Sequence, residues 1–209
     1  MGMTAQPVNV EPADLQSPAA SHRLSVRSAI DTPGWNVVVT LPDATESQAR
    51  RALRPWGQLF RTNYFHVLVM SVTEPDCFLE EFGEAVAATP GIRNFIARVF
   101  PVHRTFDFVT VEEFEQKASE VVRGWAPILG KRFHVRLHRH GLKGILSTPK
   151  EERFLDDFLL QAAITGEAPT HVGFDDADFI VQIETIDRRA ARSLWHREDL
   201  ARYPFLTVS

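Results

Sequence analysis

The sequence predicts an α+β protein built from two consecutive units, and three observations predict it. Apolar runs rich in β-branched residues, at Trp35–Leu41, Tyr64–Val72 and Phe179–Ile186, have the length and composition of buried strands. Between them lie stretches with apolar residues at helical spacing, such as Phe78, Leu79, Phe82 and Val86, or Phe154, Leu155, Phe158 and Leu159. The segment Lys131–Gly144 alternates instead. Phe133, Val135 and Leu137 fall on one parity, and His134, Arg136, His138 and His140 on the other. That is the period-two pattern of a strand with one buried and one solvated face.

Bulk properties narrow the class. A length of 209 residues suits one large domain or two small ones, and 44% hydrophobic with 24% charged residues is ordinary for a globular chain. The single Cys77 excludes an internal disulfide framework and a Cys-based zinc site, and fits a reducing compartment. No run of about 18 apolar residues predicts a transmembrane helix. The N-terminus lacks a basic region followed by an apolar core, and Gln6 stands where a myristoylation signal needs Ser or Thr. The expected location is cytoplasmic.

Residues 1–32, with Pro7, Pro12 and Pro18 among Ser and Ala and no sustained periodicity, read as a disordered tail. Trp35–Leu41 is the first strand. Thr45 is the expected N-cap of a helix to about Arg54, with Gln48 as its capping-box partner. A strand pair follows within Gln58–Val72, and Glu74-Pro75 opens a helix that stops near Thr89-Pro90-Gly91. Ile92–Val102 reads as a short helix and a strand. The order β-α-β-β-α-β over about 70 residues predicts a split βαβ, ferredoxin-like unit. His66, inside an apolar strand pattern, reads as a core or edge histidine.

His103–Phe108 reads as an extended connector packed against something. Val111–Leu129 is helical by pattern, with Phe114, Ala118, Val121, Val122 and Trp125 on one face and Glu112, Glu113 and Glu115 in the first turns, where the helix dipole favours anions. The alternating strand comes next. Gly141 and Gly144 bracket a turn carrying Lys143. Ser147 or Thr148 then caps a helix with Pro149 in its first turn. Val172–Phe174 and Phe179–Ile186 read as strands, Ser193–Arg202 as a short helix, and Tyr203–Val208 as an apolar end tucked into a sheet or groove. Asp175, Asp176 and Asp178 lack the glycine and distant glutamate of a calcium loop, so a turn with Asx hydrogen bonds is expected there.

The chemistry concentrates between residues 131 and 153. Seven basic side chains (Lys131, Arg132, Arg136, Arg139, Lys143, Lys150 and Arg153) stand against Glu151 and Glu152, in a chain of formal net charge −4. Three readings stay open on the residues alone. The strip is a solvated face whose arginines pair with nearby acids, a metal-dependent enzyme site built on His134, His138 and His140, or a polyanion site in which Arg and Lys contact phosphates. The free N–H groups of the helix beginning at Ser147, with Lys150 and Arg153, would add to the third. Against the second, Arg136 sits among the three histidines, and no carboxylate or thiol shares their parity. No Gly-rich phosphate loop, Ser/His/Asp set or cofactor motif is visible. A protein–protein module is a further alternative, because residues 1–130 carry 11 basic against 15 acidic side chains.

Several segments carry a family likeness: Phe133–Gly141, then Glu152–Leu155, Phe174–Asp178 with Glu184-Thr185, Ser193–Leu200, and Tyr203–Leu206. Together they resemble a THUMP domain over residues 109–209, closest to stand-alone THUMP proteins related to the adaptor for tRNA cytidine acetylation. Residues 33–108 resemble the ferredoxin-like domain that usually precedes it. The resemblance implies tRNA binding at the acceptor end. It implies an adaptor rather than an enzyme, since the chain ends within a few residues of the THUMP pattern, and a separate tRNA-modifying enzyme as partner, such as an acetyltransferase. No cofactor is expected. Carried over, Arg136, Arg139 and Lys143 are the first RNA contacts, supported by Lys131, Arg132, His134, His138, Lys150, Arg153 and Arg189. One departure is that Arg189-Ala190-Ala191 stands where the family pattern often has Arg-Ala-Gly, which puts the turn and the contacts at Arg188–Arg192 in question.

Overall fold

The computed structural model describes Met1 and residues 34–123, 126–164 and 169–206. The expected tail, Trp125 and the last residues Thr207 and Val208 lie outside the described residues.

The first half runs β1 (Val37–Thr40), α1 (Glu46–Leu53), β2 (Gly57–Arg61), β3 (Val67–Val72), α2 (Pro75–Ala88) and β4 (Arg98–Pro101). Its strands form an antiparallel sheet in the order β2-β3-β1-β4. The β-branched runs that predicted strands supply its core: Val37, Val39, Val69 and Met70 are fully buried, with Phe82 of α2 against them. Two local expectations change. Thr45 precedes α1, but its Oγ1 donates to Pro42 O at 2.7 Å and makes no side-chain cap, so the capping box with Gln48 does not form. The third strand starts at Val67 rather than Tyr64. His66 sits in the turn before it at φ 65°, with Nε2 2.9 Å from Asp43 Oδ1, and is neither in a strand nor in the core.

The second half runs β5 (Arg104–Asp107), α3 (Val111–Val122), β6 (Arg132–His140), α4 (Thr148–Ala163), β7 (His171–Val172), β8 (Phe179–Ile186), β9 (Arg189–His196) and α5 (Arg197–Arg202). The sheet order is β5-β9-β8-β6-β7, with β6 parallel to β7 and β8, and β9 antiparallel to β8 and β5. The extended connector is thus the edge strand β5. Helix α3, capped by Thr110 Oγ1 accepting from Glu113 N at 3.2 Å, ends at Val122 rather than near Leu129. Residues 193–196, expected to be helical, belong to β9. Ala191, Ser193 and Trp195 are buried on one side of it, and Asp187 at φ 51° makes the tight turn that returns the chain along β8. Ala190 and Ala191 therefore lie inside the strand, not in the turn.

The face of β6 and β8 that carries Phe133, Val135, Leu137, Val181 and Ile183 packs on α3 and α4 through Phe114, Ala118, Leu155 and Leu159. On the opposite face, Ile186, Ala191 and Trp195 join the core of the first sheet, where the Phe100 and Trp195 rings meet edge to face at 5.5 Å. Tyr203, Phe205 and Leu206 are tucked into that same core, Phe205 edge-on to Phe82 at 4.8 Å. Burial of this much aromatic surface, each such ring stabilising by roughly 1.5–3 kcal/mol, joins the two sheets. Among the described residues, no helix is long and apolar enough to cross a membrane.

Candidate nucleic-acid interface

β6 organises the candidate surface. It has strand partners on both sides only at its start, because β7 reaches no further than Arg132 and Phe133. Beyond that point, the N–H groups on the β7 side need other acceptors. Helix α4 supplies them: Asp156 Oδ1 accepts from Val135 N at 2.9 Å, and Glu152 Oε1 from Leu137 N at 2.8 Å. The bare edge is thereby closed to another strand. Burial pushes the Asp156 carboxyl up to about 7, although the Val135 hydrogen bond opposes this. Burial also raises Glu151, on the same helix, to about 7.

The parity expected to be solvated is only half open. His134 is 3% exposed; its Nδ1 donates to the Gly173 carbonyl at 3.0 Å, and burial lowers its pKa. Further along, His138 lies opposite Glu184 of β8, and burial lowers its pKa too, with Glu184 opposing. Glu184, 1% exposed, also accepts from Arg98 of the first sheet at 2.9 Å and from Gln182 at 2.8 Å, and lies 3.4 Å from His140 Nε2. Burial pushes the Glu184 carboxyl up, but His140, Arg98 and His138 outweigh it and hold it below its usual range. The pairing of strands thus brings a carboxylate onto the face where the sequence alone shows none, and the first sheet covers that end of the face. The sequence gives no sign of this, since Glu184 and Arg98 are 86 residues apart and meet only on folding.

The basic residues separate into two ends of β6, a strand of nine residues spanning roughly 30 Å. At its start are Lys131 and Arg132. Lys131 is exposed, whereas Arg132 pairs with Asp176, and its backbone N–H is held by Asp178 Oδ2 at 3.0 Å. Asp176 and Asp178 thus anchor the loop through Arg132, rather than through the local Asx hydrogen bonds expected of the three aspartates. At the far end, the turn from Gly141 to Gly144 carries exposed Lys143, followed by Lys150 and Arg153 on α4. Lys150 is 2.9 Å from Glu115, while Lys131, Lys143 and Arg153 make no ion pair among the described residues. Arg139 points to the α4 side, where its Nη1 donates to Gly141 O at 2.5 Å. Arg189 is across the sheet on β9, 3.7 Å from Asp107 and over the Trp35 ring. Arg136 is half-buried between the two ends, with its guanidinium 5.8 Å from the centre of the Phe174 ring.

The metal-enzyme alternative does not fit. His134 and His138 are four strand residues apart, roughly 13 Å, too far for one ion, and among the described residues no group of three His, Cys, Asp or Glu is placed to hold a metal.

No protein-family model matches the chain, and no curated protein matches it. Solved structures do. PH1313 from Pyrococcus horikoshii, a THUMP-domain protein, superposes with a TM-score of 0.52 at 16% identity, over 78% of this chain and 54% of that one. TrmN from Thermus thermophilus gives 0.52 at 15% identity, over 77% and 44%. A 4-thiouridine synthetase, solved with RNA and bound ATP, gives 0.50 at 9% identity, over 78% and 41%. The chain has an α+β, THUMP-like fold. It spans about half the length of these structures or less. The expectation of a non-enzyme is corrected by that comparison. The same fold recurs as less than half of TrmN and of the synthetase, so it occurs within enzymes, and where this sequence stops is no argument against catalysis.

Proposed function

We propose that this chain binds RNA, gripping the acceptor end of tRNA along β6 and the turn after it, and presents that end to a tRNA-modifying catalytic unit. The observation that carries the reading is the exposure of Lys131 just before β6 and of Lys143 and Arg153 in the turn and helix after it, without ion pairs among the described residues, in a chain of net charge −4. Unneutralised cations in an acidic chain are what a phosphate backbone selects. The RNA-complexed synthetase of like fold supports the ligand class. Arg136, Arg139, Arg132, His134, His138, Lys150 and Arg189 are the supporting residues. The family resemblance points to an acetyltransferase as the modifying partner, and the single cysteine to the cytoplasm as the place of action. We divide the chain into a tail (1–32), a ferredoxin-like unit (33–108), on the β2-β3-β1-β4 order of its sheet, and a THUMP unit (109–209).

The test is an anisotropy titration against total tRNA, intact and trimmed of its 3′ single strand, at low and moderate salt. Binding that weakens with salt and on trimming supports the reading. Absence of binding at low salt overturns it and turns attention to a protein partner.

A further inference from the structure

Phe174 is the exposed aromatic of the basic surface. The residue is 59% exposed, in the loop between β7 and β8. The exposure does not come from a loose loop. Gly173 N donates to Phe133 O at 2.9 Å, Arg132 pairs with Asp176, and Arg132 N is held by Asp178. From the other side, Arg197 Nε donates to Ala177 O at 2.9 Å and its Nη2 to Asp176 O. The segment is pinned immediately before the ring and again a few residues after it, and still presents the ring to solvent.

The ring is also backed. The His134 imidazole lies 5.4 Å away at an interplanar angle of 33°, itself held by the Gly173 carbonyl, and the Arg136 guanidinium stands over the ring at 5.8 Å. A cation over an aromatic face stabilises its orientation. Leaving this ring in solvent forgoes the stabilisation that burial would give, and a pinned ring backed by Arg136 and His134 has the composition of a stacking platform. Proteins that hold single strands combine such rings with cations, because every base presents a π-face.

We infer that Phe174 is a stacking site for one unpaired base of the bound RNA, with Arg136 and His134 as its positioning residues. This rests on the proposed RNA binding and adds to it the part of the RNA that is read: a splayed base, not only a phosphate backbone.

The experiment uses the full 209-residue chain, as wild type, Phe174→Ala and Phe174→Trp, with tRNA bearing its 3′ single strand and the same RNA trimmed flush. A second probe carries 2-aminopurine in the single strand. Phe174→Ala is expected to weaken the intact RNA roughly ten-fold, to leave the trimmed RNA and the salt dependence as in wild type, and to abolish the quenching of 2-aminopurine. Phe174→Trp is expected to retain both affinity and quenching, which separates stacking from loss of fold. If wild type binds and Phe174→Ala matches it, or weakens both RNAs equally, the platform is overturned while RNA binding stands. If wild type binds neither RNA, the underlying reading falls, and the platform with it.

Discussion

Arg98, at the start of β4, donates to Glu184 on β8 at 2.9 Å, and so one buried ion pair ties the first sheet to the second. Removing Arg98 leaves the buried Glu184 carboxylate with Gln182 and the two histidines but without its arginine: Arg98→Ala should destabilise the fold by about 3 kcal/mol. Glu184→Gln keeps an acceptor and should cost less. A double-mutant cycle by denaturant unfolding should show non-additivity, since Arg98→Ala does less harm once the carboxylate is gone. The folded Glu184 carboxyl sits below its usual 4.5, so its contribution is present above that pH and lost as pH falls through the folded value. The stability gap between wild type and Glu184→Gln should therefore shrink in acid.

Asp156 has the opposite sign. Its folded pKa of about 7 lies above the model-compound value of 3.8, so the folded state holds the proton longer than the unfolded chain does. The wild type thus loses stability from this group as pH rises from about 4 to about 7. Asp156→Asn keeps an oxygen for the Val135 N–H and carries no charge. Its melting temperature should rise relative to wild type across that window and then stay level above it. A difference that is independent of pH would show that the carboxyl is not desolvated.

Gly141 is held by two constraints. Its φ of +92° suits glycine, and a Cβ there would run into the Tyr64 hydroxyl from the first half. Gly141→Ala should cost about 1–3 kcal/mol. In a Tyr64→Ala background that collision is gone while the backbone strain and the tight approach to Asp187 Oδ1 at 3.0 Å remain, so the added cost of Gly141→Ala should drop, as chemical denaturation would measure.

The basic residues should not contribute equally to RNA affinity. Lys143→Ala and Arg153→Ala remove exposed cations that have no ion-pair partner among the described residues, and each should lower the slope of log affinity against log salt by about one. Lys150→Ala should lower it less, because Glu115 already neutralises that ammonium. Arg132→Ala should act mainly on stability, by removing the ion pair with Asp176 that anchors the loop. Equal losses from all four would count against the surface as drawn.

Sequence alone determined the elements whose cause is local. Period-two alternation placed Phe133, Val135 and Leu137 in the core, and they are buried; the β-branched runs became β1, β3 and β8. The strand β9 was less legible, because Arg189–His196 has a mixed pattern and becomes a strand through its pairing with β8. Tertiary structure alone decided what the Arg and His face of β6 meets. Parallel pairing brings Glu184 beside His138, the first sheet brings Arg98 onto that carboxylate, the short β7 leaves an edge that α4 closes with Asp156 and Glu152, and the pinned loop sets Phe174 over His134 and Arg136. Each of these partners is distant in sequence or attached by a loop, so no periodicity records it. A side chain's neighbours across a sheet are set by strand order, and strand order is a property of the folded chain.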